Sequence, residues 1–181
     1  MAYTWDDVLP GQAASSVAIN ALGNRVEQHE LALTVTPAIA QGRCVTGQNV
    51  LTSVGLPVEF DVSDVDTSGM HSTTVLPSRY TATQPGWYLV SGRVAFAGNI
   101  TGRRRIYLQV NGTPVPASGI YVAATINAII VIPYPGTLVS LNIGDYLEMV
   151  AWQDSGVTLS INGTSPTSDA NSMISLEWVS N

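Results

Sequence analysis

An all-β domain behind a short N-terminal helix is the architecture this sequence predicts, on three observations. From about Val35 onward, apolar and polar residues alternate with a period of two, and no helical period returns. Turn pairs punctuate those runs at Pro85-Gly86, Asn111-Gly112, Pro135-Gly136, Gly144-Asp145, Ser155-Gly156 and Asn162-Gly163. Ahead of them, about Ala13 to Leu33 contains no proline and sets Ile19, Leu22, Val26, His29 and Leu33 at alternating spacings of three and four.

Residues 1–12 read as a leader containing the turn pair Pro10-Gly11. In the helix that follows, Asn20, Arg25, Glu27, Gln28 and Glu30 fall on the outer faces. Ser15 or Ser16 caps its start, and Pro37 bars its continuation. Gly23 opposes it by about 1 kcal/mol relative to Ala. A lone helix of this length is marginal in water. It therefore needs its own domain to pack on, or identical helices from neighbouring chains. Residues 1–35 form an attachment and oligomerising segment on this reading, and residues 40–181 the head.

Strands are predicted at Val58–Val62, Trp87–Ala97, Arg105–Val110, Ala128–Ile132, Tyr146–Trp152, Val157–Ile161 and Ser172–Val179. Many short strands at such spacing specify a sandwich, barrel or jelly roll. Tyr121-Val122-Ala123-Ala124 and Ile129-Ile130-Val131-Ile132 are small and apolar enough to pack within and between heads.

The composition narrows the function. The chain has 181 residues, enough for one domain with its own core. Hydrophobic residues make up 45% and charged residues 11%. Soluble domains average roughly 25% charged, so much of this surface is uncharged or covered by partner subunits. The net charge is −6, and every basic residue other than histidine is arginine, a balance that opposes non-specific nucleic-acid binding. Cys44 is the single cysteine, which excludes an intrachain disulfide and a cysteine metal cluster. The opening Met1-Ala2-Tyr3-Thr4-Trp5-Asp6-Asp7 lacks the pattern of a secretory signal, and no apolar run is long enough to span a bilayer. The expectation is a protein held in a cytoplasm until assembly, with no membrane insertion.

Catalytic constellations are not evident. His29 lies in the helical stripe, where a core or interface role suits it. His71 closes the polar stretch from Asp61, in which Asp61, Asp64 and Asp66 offer hard oxygens to Ca²⁺ or, more simply, solvate a loop. There is no Gly-x-Ser-x-Gly elbow and no phosphate-binding glycine loop. Glu59 with Asp61, and Asp145 with Glu148, suit strand and turn positions better than glycoside hydrolysis. The expectation is a non-enzyme without a cofactor. Arg103, Arg104 and Arg105 follow Asn99-Ile100-Thr101-Gly102, which reads as a turn between two strands. They suit an anionic ligand such as a cell-wall phosphate or acidic sugar, salt bridges to a neighbouring subunit, or ordinary surface charge.

Three landmarks occur in order: Leu56-Pro57-Val58-Glu59-Phe60-Asp61, then Pro85-Gly86-Trp87-Tyr88-Leu89-Val90-Ser91, then Leu141-Asn142-Ile143-Gly144-Asp145. With the Asn111-Gly112 hairpin between the last two, this order resembles the trimeric jelly-roll heads of the tumour-necrosis-factor and complement-type superfamily. The resemblance covers roughly residues 50–180. It departs at the end, where Met173-Ile174-Ser175-Leu176-Glu177-Trp178-Val179 replaces the usual aromatic-glycine closing strand. The leader, with Trp5, Pro10, Gly11 and then Ile19-Asn20-Ala21-Leu22, resembles the N-terminal attachment segment of bacteriophage tail and fibre proteins.

Together the two resemblances imply a TNF-like jelly-roll sandwich that assembles as a homotrimer through Ile19, Leu22, Val26, His29 and Leu33. They imply a bacteriophage virion structural protein made in the bacterial host cytoplasm and placed on the virion surface. It would be a tail tip or fibre, or a capsid decoration or head fibre. Its leader would dock on another virion structural protein, and its head would meet a bacterial cell-surface glycan. The alternative is a bacterial carbohydrate-binding or adhesion module outside a virion.

Overall fold

The computed structural model describes residues 37–124, 128–161 and 170–180. The predicted leader and helix, with Trp5, Pro10, Gly11, Ile19, Leu22, Val26, His29 and Leu33, lie outside the described residues, as does the Asn162-Gly163 turn. No helix occurs among the described residues. They form two sheets, in which every pairing between strands is antiparallel.

The first sheet contains β1 (Ile39–Cys44), β2 (Gln48–Val50), β4 (Val62–Asp66), β6 (Gly86–Phe96), β10 (Ile130–Leu141), β12 (Leu159–Ile161) and β13 (Ser172–Ser180). The second contains β3 (Leu56–Pro57), β5 (Tyr80–Thr81), β7 (Arg103–Val110), β8 (Thr113–Pro114), β9 (Ile120–Ala123) and β11 (Tyr146–Gln153). In the first, β4, β1, β13, β6 and β10 lie side by side, and β2–β12 extends the sheet beyond β13 along the far end of β6. In the second, β11 and β7 are central; β3 and β5 flank β11, and β8 and β9 flank β7.

The alternation seen in the sequence sets the core. Tyr88, Val90, Val94 and Phe96 of β6 point inward with Ile132 and Leu141 of β10 and Ile174 and Leu176 of β13. They meet Ile106 and Leu108 of β7 and Leu147 and Met149 of β11. Burying each such side chain contributes about 1.5–3 kcal/mol. The closing strand, the point of departure from the family pattern, sits centrally between β1 and β6, with Ile174 opposite Gly42 and Gly92.

Three expectations are corrected. Residues 58–61 carry strand-like burial, with Val58 and Phe60 inside, but lie between β3 and β4. There the Gln48 amide stands in for a strand partner, donating to the Glu59 carbonyl (2.7 Å) and accepting from its N–H (3.0 Å). Pro135-Gly136 does not turn the chain. It forms an irregularity inside β10, where the register with β6 shifts between Tyr134 and Thr137 and Gly136 takes φ +130°. The strand predicted from Arg105 starts two residues earlier, so Arg103 and Arg104 also belong to β7, directly after the expected Asn99–Gly102 turn. Asn111-Gly112 is the expected two-residue hairpin turn, with φ of +51° and +78°.

Candidate ligand platform and assembly face

Strand alternation divides the three arginines. Arg104 points inward with Ile106 and Leu108, and is fully buried. Its Nη1 donates to the carbonyls of Thr101 (3.0 Å) and Arg103 (3.1 Å), and its Nη2 to that of Asn99 (3.0 Å). It faces Gln153 across the ladder, also fully buried, whose Nε2 donates to the carbonyls of Val50 and Val157. Arg104 is therefore a structural clamp for the turn that precedes β7. Burial pulls the guanidinium below its ordinary pKa, against the nearby Asp154 charge.

Arg103 and Arg105 point outward. Arg103 donates from Nε (3.0 Å) and Nη2 (2.9 Å) to Oδ2 of Asp154, while its backbone N–H donates to Oδ1. That backbone bond holds the Asp154 carboxyl below its usual range, and the Arg103 side chain adds to the effect against burial. Arg105 is held differently. Its guanidinium lies over Tyr107 at 4.2 Å and Tyr121 at 5.0 Å from the ring centroids. In register, Tyr121 of β9 and Trp152 of β11 flank it on either side. The two rings stand edge to face at 6.4 Å. The predicted ligand arginines thus become one outward pair on an aromatic surface, with Arg104 behind it.

The acidic stretch does not converge. Asp61 accepts the N–H groups of Val45 (2.7 Å) and Thr46 (2.9 Å). Burial pushes its pKa up, and the hydrogen bonds from Thr46 and Val45 pull it below the ordinary value. Asp64 pairs with Arg43 at 2.7 Å, and Asp66 accepts the N–H groups of Ser68, Met70 and His71. No metal-holding cluster of His, Cys, Asp and Glu occurs among the described residues. Solvent surrounds part of this stretch, but Val62–Asp66 is a strand, not a loop.

His71 stacks on Tyr80 at 4.3 Å and donates from Nε2 to the Pro77 carbonyl at 3.0 Å. Burial pushes the Tyr80 hydroxyl far above its ordinary pKa, with Asp66 and Asp64 adding to the effect. Beside them a cleft of about 400 Å³ is lined by Met70, His71, Ser72, Leu76, Arg79 and Tyr146. Its polar groups are committed in part, since His71 Nδ1 and Arg79 Nε are buried without a hydrogen-bond partner among the described residues. Arg79 lies over Tyr146 at 4.0 Å and 3.5 Å from Glu148, which also accepts from Ser78 (2.7 Å) and Gln109 (2.6 Å).

Sequence reasoning missed the outer face of the first sheet. Trp87 and Leu89 of β6 point away from the core and are 45% and 40% exposed. Leu138 of β10, 54% exposed, lies directly opposite Leu89, and Val131, 39% exposed, stands at the other end of the strand pair, opposite Ala95. Pro133 and Pro135 are exposed positions between them along β10. The signal was present: Trp87–Ala97 carries apolar residues on both alternating sets, as a strand covered on both faces does.

No protein-family model matches the chain, and no curated protein matches it. Solved structures do. Murine APRIL, crystallised at pH 5.0, aligns with a TM-score of 0.58 at 11% identity, covering 80% of this chain and 100% of that one. Eiger TNF from S. frugiperda aligns with a TM-score of 0.56 at 12% identity, covering 81% of this chain and 95% of that one. The likeness establishes a TNF-like jelly-roll fold.

Proposed function

We propose that this chain is a homotrimeric structural protein of a bacteriophage virion surface, without enzymatic activity, whose jelly-roll head faces the host. It serves as a tail tip or fibre, or as a capsid decoration or head fibre. The observation that carries assembly is the apolar row Trp87, Leu89 and Leu138 on the outer face of the first sheet, continued along β10 by Pro135, Pro133 and Val131. Contiguous exposed apolar surface of this kind marks association. The occupant is a further copy of the same chain, since the resemblance to TNF-type heads implies a homotrimer. The basic groups of this sheet are committed, because Arg43 is paired with Asp64 and Arg93 donates to the Asn171 carbonyl at 2.9 Å. The exposed Glu177 of β13 stands beside Leu89 at the edge of the row.

The virion assignment is supported by the leader, where Trp5, Pro10 and Gly11 precede the stripe Ile19, Leu22, Val26, His29 and Leu33. On this reading the stripe aligns three chains and the leader docks on another virion protein. The test is the solution mass of the full chain and of a chain lacking residues 1–35. A trimer weakened by the deletion is expected, and a monomer in both samples overturns the trimeric head. A bacterial adhesion module is the second reading, favoured by the arginine and aromatic surface of β7. Deleting residues 1–12 separates the two: incorporation into virions is lost if the leader docks, and an adhesin keeps its surface binding.

A further inference from the structure

We propose that the outer face of the second sheet, the row Tyr121–Arg105–Trp152 with Tyr107 and Arg103 beside it, is a binding platform for an anionic saccharide. This deepens the host-facing reading above and rests on the head being displayed outward.

Arg105 is the first reason. Each other described arginine donates to, or is ion-paired with, an acceptor within the chain: Arg43 with Asp64, Arg79 with Glu148, Arg93 with Asn171, Arg103 with Asp154, and Arg104 with three carbonyls. Arg105 is held by rings alone, and its Nε is buried with no hydrogen-bond partner among the described residues. A guanidinium fixed this way keeps its Nη1 and Nη2 donors for an incoming oxyanion, the buried Nε taking no part, and it loses little freedom on binding. Gly119 keeps the seat open, since a Cβ there would lie 3.1 Å from both Nε and Nη2 of Arg105.

The rings supply the second reason. Tyr121 is 53% exposed, and Trp152 stands edge to face with it. A pyranose presents weakly positive C–H groups on one face, which suit the negative face of an aromatic ring. An anionic sugar thus stacks on Tyr121 or Trp152 while its carboxylate or phosphate meets Arg105. Asp154, the carboxylate that accompanies Arg103, is already neutralised by it. The net charge of −6 acts at long range and is screened beyond about 8 Å at physiological salt. The proposed assembly face lies on the other sheet, so the platform stays open in the trimer.

Titration calorimetry of the full chain with hexagalacturonate, a glycerol-phosphate oligomer and maltohexaose tests this. Binding of one or both anionic probes, with little of the neutral one, is expected; which probe binds identifies carboxylate or phosphate as the anion. Arg105→Gln and Tyr121→Ala should each weaken binding by about tenfold or more. Val75→Ser, on an exposed loop away from the row, should leave it unchanged. Thermal unfolding of each variant shows that it remains folded. The proposal is overturned if neither anionic probe binds, if maltohexaose binds equally well, or if folded Arg105→Gln binds like the parent. Mass measured on the same samples separates the two readings. A trimer that binds no anionic probe sinks the platform alone, and a monomer that binds one sinks the trimeric head alone.

Discussion

Three consecutive arginines occupy three physical situations because a strand sends alternate side chains to opposite faces. Arg104 closes two turn carbonyls and that of Arg103 from inside the sandwich, and its truncation strands those acceptors and opens a cavity. Arg104→Ala should therefore lower unfolding stability by about 3 kcal/mol or more. Arg103→Ala removes an exposed pair and should cost about 1 kcal/mol or less. Urea denaturation of both variants checks the contrast, and equal losses would contradict the assignment of Arg104 as the clamp. The partner of Arg103 adds a pH dependence. Asp154 has a folded pKa below its ordinary 3.8, so the folded state favours its ionised form. That stabilisation is complete above the unfolded value and fades as pH falls below 3.8 through the lower folded pKa. Asp154→Asn should accordingly flatten the stability-against-pH curve below that value, as read by urea midpoints at successive pH. A curve that keeps the parent's slope would remove Asp154 from the account.

At the scale of strands and turns, the sequence announces what has a local cause and hides what has a distant one. The β6, β7, β11 and β13 strands were legible because a long alternating run with an apolar set needs no knowledge of its partners. Short strands such as β2, β5 and β8 exist through the neighbours they pair with, and two or three residues carry no period. The same division separates two Gly-containing pairs that look alike on paper. Asn111-Gly112 turns because both positions adopt positive φ in a two-residue loop, the local chemistry expected of the pair. Pro135-Gly136 is kept within β10 by pairing with β6 on both sides of the irregularity, and only the partner strand reveals this. The backbone demands differ too. At Gly112, φ is +78°, close to a region that alanine visits at a cost of about 1–2 kcal/mol. At Gly136, φ is +130°, where only glycine is comfortable. Gly136→Ala should thus cost about 2–3 kcal/mol and exceed the cost of Gly112→Ala, measured by chemical denaturation. The reverse order would mean that β10 shifts its register to relieve the strain. At the arginine site the legibility was likewise partial: residue types pointed to an anion, but only strand register shows which two guanidinium groups face outward.

For the whole molecule, the two faces of the sandwich divide the proposed labour. The first sheet presents a row of apolar side chains to solvent, and the second presents cations and rings. A low charged fraction of 11% is tolerable in a chain whose apolar face is covered, and would invite aggregation in one whose face stays bare. Leu89 and Leu138 are the place to test this, because they are direct neighbours across the β6–β10 ladder and both point outward. Neither contributes to the core, so Leu89→Arg with Leu138→Arg should leave the head folded. At the interface the same change would bury two cations against the single neighbouring carboxylate of Glu177 and set like charges against one another, which protein association does not tolerate. The expected outcome is a shift of solution mass from trimer to monomer, with the β-sheet circular dichroism unchanged. Midpoints of thermal unfolding should also stop depending on protein concentration, since linkage to assembly is lost. If the doubly substituted chain remains a trimer, the first sheet is not the assembly face, and the heptad-spaced residues Ile19, Leu22, Val26, His29 and Leu33 would have to hold the oligomer alone.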